Sequence, residues 1–160
     1  MKVIKEYVRA FFVSSEALVW AVALCVFVFF ENRIDDLLAV WEPSEDKVMW
    51  SASIPIAITV WIISAWKTTL FQDADKQFLL QKWPDFWRLE IVLICGVIHA
   101  VIFCLVAVVA VMLPSWNPPS SLAVIAFLSA VIGLSVDALT FYKADIVLAK
   151  AVRTFEANKG

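Results

Sequence analysis

One histidine and three cysteines are all that this 160-residue chain offers of the side chains that most often bind metals or form disulfides. Cys25, Cys95 and Cys104 all lie in apolar stretches, with no Cys-x-x-Cys spacing and no even-numbered framework, so neither zinc nor a disulfide scaffold is suggested. They read as small packing residues. A lone His99 cannot supply bis-imidazole haem ligation from one chain. No serine sits in a nucleophile-elbow sequence, so a hydrolase triad has no starting point and the chain is read as non-enzymatic, with no cofactor. Charged residues make up only 18% of the chain and the formal net charge is -2, which gives nucleic acid no basic surface to bind.

Hydrophobic residues reach 62%, with a mean hydropathy of +0.85, well above the roughly 45 to 50% apolar content of a soluble domain. This is the composition of an integral membrane protein, and it leaves too little chain for a separate soluble domain. The clearest span is residues 91–113, in which His99 is the one side chain able to carry a charge. Such a stretch covers a hydrocarbon core of roughly 30 Å at 1.5 Å per residue.

The remaining segments fall into place around it. Ile4, Tyr7, Val8, Phe11 and Phe12 recur at helical spacing beside Lys2, Lys5 and Arg9, an amphipathic approach to the membrane. No small-residue cleavage site follows Phe30, so the first apolar run reads as a retained span. Residues 17–30 alone are too short to cross, so this span is expected at about 10–30, which draws Glu16 into the bilayer. Residues 31–48 are acidic and contain Pro43, and are expected on the membrane surface. A second span is expected at 49–66, kinked at Pro55, where the Ser51 carbonyl loses its usual partner. Residues 67–89 then form a cytoplasmic loop, with the second helix continuing into water and a corner at Trp83-Pro84-Asp85. The turn from Pro114 to Ser121 joins spans three and four as a hairpin, the fourth span running over 122–142 before a charged tail at 143–160. The fold expected is all-α: one polytopic domain with four transmembrane helices and short cytoplasmic helical extensions.

Lysine and arginine set the orientation. They concentrate in the N-terminal segment, the 67–89 loop and the tail, while the opposite side keeps Arg33 and Lys47, so both termini are placed in the cytoplasm, at a bacterial inner membrane. Trp41, Trp50 and Trp116 fall at the outer boundary, and Trp66, Trp83 and Trp87 at the inner one, as amphipathic rings prefer.

Two constellations stand out. The fourth span has a small-residue seam through Ala126, Ala130, Gly133 and Asp137, and the third has a matching stripe in Gly96, Ala100 and Cys104. In lipid such seams allow close backbone approach, and packing is their expected use. Asp137 lies on the seam, and in a tight hairpin His99 comes level with it within about one helical turn, with Glu16 at a similar depth. An Asp137–His99 clasp would fix helix register; alternatively, the three ionisable groups form a proton-coupled or ion-conducting site. On the cytoplasmic side, Phe71, Lys76, Phe78, Lys82, Trp83, Trp87, Lys150 and Arg153 suit either a protein interface or lipid headgroups.

The layout of basic N-terminus, four spans, uncharged outer turn from Pro114 to Ser121 and short charged tail after Tyr142 resembles the small membrane proteins of bacterial anti-phage systems, the Kiwa membrane subunit and the lambda Rex membrane protein. The resemblance covers topology and size. It implies a homo-oligomer in the inner membrane that senses infection or membrane disturbance and works with a soluble cytoplasmic partner.

Overall fold

A computed structural model describes residues 2–40, 50–70, 86–112 and 121–157. All regular structure among them is helical: α1 (Lys2–Phe12), α2 (Ser15–Leu38), α3 (Ser53–Leu70), α4 (Phe86–Met112) and α5 (Ser121–Ala157). Three of these, α2, α4 and α5, are long and apolar enough to cross a membrane. The acidic stretch beyond Val40, the Trp83-Pro84-Asp85 corner and most of the Pro114 to Ser121 turn lie outside the described residues.

The first helix break departs from the expected span at 10–30. Ser14 has extended backbone angles, φ -100° and ψ 163°, and its Oγ accepts from the Ala17 N–H at 3.2 Å, so it caps α2. The same hydroxyl donates to the Phe11 carbonyl at 3.2 Å, which ties off the end of α1. An N-cap residue cannot also continue a helix, because its backbone leaves the helical region. The amphipathic α1 is therefore a separate element. Helix α2 runs on to Leu38, past the expected end at Phe30, because Ile34, Leu37 and Leu38 keep helical spacing and no breaker intervenes before Pro43.

Trp50 and Ser51 are helical, Ala52 is a turn and α3 begins at Ser53, so the helical run is interrupted close to where a kink is expected, with Pro55 as the third residue of α3. Thr59 Oγ1 donates to the Pro55 carbonyl at 2.8 Å, and Ser53 Oγ donates to the Trp50 carbonyl at 2.7 Å.

Helix α5 is the spine: α2, α3 and α4 all pack on it, and α1 packs on α4. Antiparallel packing of α4 and α5 is fixed by two glycines. A Cβ at Gly96 would lie 3.0 Å from Phe141 Cε2 and 3.7 Å from Asp137 Oδ1, and a Cβ at Gly133 would overlap the Phe103 ring. The core between the helices joins Ile62 of α3, Leu93, Ala100 and Phe103 of α4, and Ala130, Leu134 and Phe141 of α5. The expected seam faces inward: Ala130, Gly133, Asp137, Gly96 and Ala100 are buried, while Ala126 and Cys104 are half-buried. At the far end of α5, Leu148 and Val152 pack on Phe86 and Leu89 of the first turn of α4.

Candidate functional site

Glu16 is the one buried residue of α2, a helix whose Val19 and Trp20 are partly buried against the core while Leu18, Val22 and Leu24 are exposed. Its position follows from the cap: with Ser14 as N-cap, Glu16 falls in the first helical turn, where a carboxylate meets exposed backbone N–H groups and the positive end of the helix dipole. The carboxyl contacts its own backbone N–H and the hydroxyls of Ser14 and Ser15. It also meets the carboxyl of Asp137, delivered by the middle of α5.

Asp137 is fully buried at 0% exposure, with Glu16 at 5% and His99 at 3%. No N–H or O–H donor among the described residues reaches either Asp137 oxygen; what faces them is the Glu16 carboxyl. Ionised carboxylates only accept, so this contact becomes a hydrogen bond when one of the two carries a proton. Gly96 lies beside this seat, where a Cβ would press on the Phe141 ring at 3.0 Å and meet Asp137 Oδ1 at an ordinary 3.7 Å.

His99 is close to Glu16 but is not clasped to Asp137 as the sequence suggests. Its ring stacks on Phe11 of α1, centroids 4.2 Å apart at 20°, and its nearest backbone acceptor is the Cys95 carbonyl one turn earlier in α4, not Asp137. The geometry of α4 explains this. Gly96, Ala100 and Phe103 form the face toward α5, and His99 lies about 100° round the helix from Ala100, turned toward α1. Phe103 in turn stacks on the Trp20 indole at 4.8 Å and 7°, which brings α2 against α4 beside the site.

A cleft of about 480 Å³ reaches Glu16 and His99 of this cluster. Glu6 and Arg9 of α1, Arg88 of α4 and Thr140 of α5 also line it, and Asp137 does not. Rises along the helices set its depth. Asp35 Oδ1 accepts from the Ser121 N–H at 3.0 Å, which puts the end of α2 beside the start of α5. Asp137 is sixteen residues further along α5, about 24 Å from that end at 1.5 Å per residue.

Among the described residues no three His, Cys, Asp or Glu side chains are placed to hold a metal ion. Of the docking residues, Trp87, Lys150 and Arg153 are exposed, on the first turn of α4 and the last turns of α5. Phe71, Lys76, Phe78, Lys82 and Trp83 lie outside the described residues. Sequence reasoning missed Phe11, Ser14, Arg9 and Arg88 as parts of the site. The signal for Ser14 was present, a serine just ahead of a long apolar run with an acidic residue in the first turn.

No protein family, curated protein or solved structure matches this chain.

Proposed function

We propose that this chain is a four-span membrane protein whose activity is governed by a proton exchanged at the Glu16–Asp137 pair. One observation carries the reading: carboxyls from two different helices face each other in a buried position, and one of them, Glu16, lines a cleft shared with Glu6, Arg9 and Arg88. Ionisable groups inside a membrane are expensive to keep and mark proton or ion pathways. A pair on separate helices also couples proton occupancy to helix packing, because two ionised carboxylates repel and a singly protonated pair holds together. Both termini are assigned to the cytoplasmic side of a bacterial inner membrane, supported by the distribution of Lys and Arg. The test is proton flux into liposomes loaded with a pH-sensitive dye. Wild-type protein should conduct or couple protons and Asp137→Asn should not; wild-type vesicles as tight as empty ones at every pH and voltage would remove the reading.

A second reading is favoured by the length of α5. Its 37 residues span about 55 Å at 1.5 Å per residue, well beyond a 30 Å core, so a charged helical extension with Lys150 and Arg153 exposed projects from the bundle. In this reading the protein is a non-enzymatic, homo-oligomeric subunit whose extension binds a soluble cytoplasmic partner, as its layout in common with anti-phage membrane subunits implies. Co-purification of a soluble protein with the wild-type chain, lost on charge reversal at Lys150 and Arg153, is the result that distinguishes it.

A further inference from the structure

The two faces of α1 have different surroundings. Phe11 points inward onto His99. Ile4, Val8 and Phe12, spaced four residues apart, line another face and are 69%, 53% and 70% exposed. A helix this short with such a stripe is not stable alone in water, and one side of it rests on α4 while the other is left uncovered by the described residues. What covers the second side is fixed by continuity: α1 ends at Phe12 and the membrane-spanning α2 starts at Ser15, so α1 cannot leave the bilayer surface. Arg9, with Lys2 and Lys5 in the sequence, supplies the basic positions that suit a headgroup layer.

We propose that α1 is a membrane-held latch: its Ile4–Val8–Phe12 face binds the headgroup–acyl boundary of the lipid surface, and this holds Phe11 against His99 and keeps Glu6, Arg9, Ala10 and Val13 in place as the α1 wall of the cleft that Glu16 and His99 line. The hinge is the capped bend at Val13–Ser14, where the Val13 N–H still bonds the Arg9 carbonyl at 2.9 Å and the next residue leaves helical geometry. Few contacts cross this bend apart from the Ser14 hydroxyl, so α1 can lift without unwinding α2. A change in headgroup packing reaches the cleft beside Glu16 through one aromatic stack. The latch deepens the proton-site reading, yet it concerns access and stands or falls separately from proton transfer.

Cys95 is a built-in reporter, since it is buried at 4% exposure and lines the same cleft. In the full chain carrying Cys25→Ser and Cys104→Ala, Cys95 is the sole thiol. The protein is reconstituted in vesicles of phosphatidylethanolamine and phosphatidylglycerol, a charged membrane-impermeant maleimide is supplied on both faces, and the labelling rate of Cys95 is followed. Phe11→Ala should raise the rate roughly two- to tenfold, the factor one stacked aromatic pair is worth, and Phe11→Tyr should keep it near wild type. Val8→Asp, which touches neither Cys95 nor His99, should raise it similarly by detaching α1 from lipid. If Phe11→Ala accelerates labelling and Val8→Asp does not, α4 alone holds α1 and the latch is wrong. Unchanged rates in both variants would mean that Phe11 holds no wall of the cleft. The labelling rates report access whether or not the carboxyl pair moves a proton.

Discussion

The ring of Phe103 on α4 lies against the bare backbone of Gly133 on α5, so close that a single methyl at Gly133 would overlap it. The opposite face of the ring is covered by Trp20, which brings α2 into the same layer. Three helices therefore meet at one residue without a side chain.

Gly133→Ala should accordingly destabilise the bundle despite the better helix propensity of alanine. Overpacking at a buried site costs about 1 to 3 kcal/mol, and the propensity gain returns at most about 1 kcal/mol. Thermal unfolding in detergent should show the loss, with Trp20 fluorescence shifted at low temperature. Adding Phe103→Leu should restore part of it, because the smaller side chain vacates the space the new methyl needs. A single variant as stable as wild type would mean the two helices can separate freely at this level.

The Asp35–Ser121 bond gives a second test. A carboxylate at the start of α5 satisfies one orphan N–H and faces the positive end of a helix dipole. Asp35→Ala should lower stability by about 1 kcal/mol, and Asp35→Asn by less, since the amide oxygen still accepts. Asp35 itself is exposed, so high salt should shrink the difference between Asp and Asn and leave the Ala loss in place. Equal stability of all three would show that α2 and α5 are held together by apolar contact alone.

Depth was legible in the sequence and direction was not. Rise per residue and an antiparallel hairpin are enough to bring His99, Asp137 and Glu16 to one level, because both depend on counting along an axis. Which side chain touches which depends on azimuth and on every neighbour present. Once Ser14 ends α1 and folds it onto α4, Phe11 takes the face of His99 that Asp137 was expected to occupy, and Glu16 takes Asp137. The seam of small residues was readable for the opposite reason: its meaning is a spacing of three and four, and spacing is what a sequence states directly. At Pro55 the sequence pointed to an interruption and the helical run does break at Ala52, three residues ahead; the exact start of α3 at Ser53 was not legible, since it goes with the Ser53 hydroxyl bond to the Trp50 carbonyl, which hydropathy does not record.

The carboxyl pair predicts non-additive mutations. Asp137→Asn supplies an N–H donor toward Glu16 and should preserve folding; Asp137→Leu supplies none and removes the contact between the helices, leaving Glu16 with its own backbone N–H and the Ser14 and Ser15 hydroxyls, a loss of about 1 to 3 kcal/mol. Glu16→Gln should resemble Asp137→Asn. If the two groups act as a unit, the Glu16→Gln, Asp137→Asn double variant should be no worse than either single one in proton flux, with a coupling energy of about 0.5 to 3 kcal/mol in stability. Either amide variant should also flatten the pH dependence of the unfolding midpoint, measured across the range in which wild type varies. Additive losses with the pH profile intact would separate the two carboxyls and leave their contact without consequence.

The last prediction concerns the extension of α5, where the fold dictates the variant to use. Deleting residues from Ala144 onward removes Leu148 and Val152, the side chains that pack on Phe86 and Leu89, so truncation would disturb α4 as well as any docking surface. Lys150 and Arg153 are exposed on the same stretch and can be changed without touching that cluster. Charge reversal at both, Lys150→Glu with Arg153→Glu, should shift stability by no more than about 0.5 kcal/mol, the usual range for surface sites. The same pair should abolish co-purification of a soluble partner, because like charges placed across an interface oppose association. Substituting Leu148→Ala gives the converse pattern: a stability loss of about 2 to 5 kcal/mol with the charged surface intact. Binding lost in the first variant and kept by whatever fraction of the second remains folded would assign recognition to the charges and not to the integrity of the helix. Binding that survives both reversals would move the docking surface off α5 altogether.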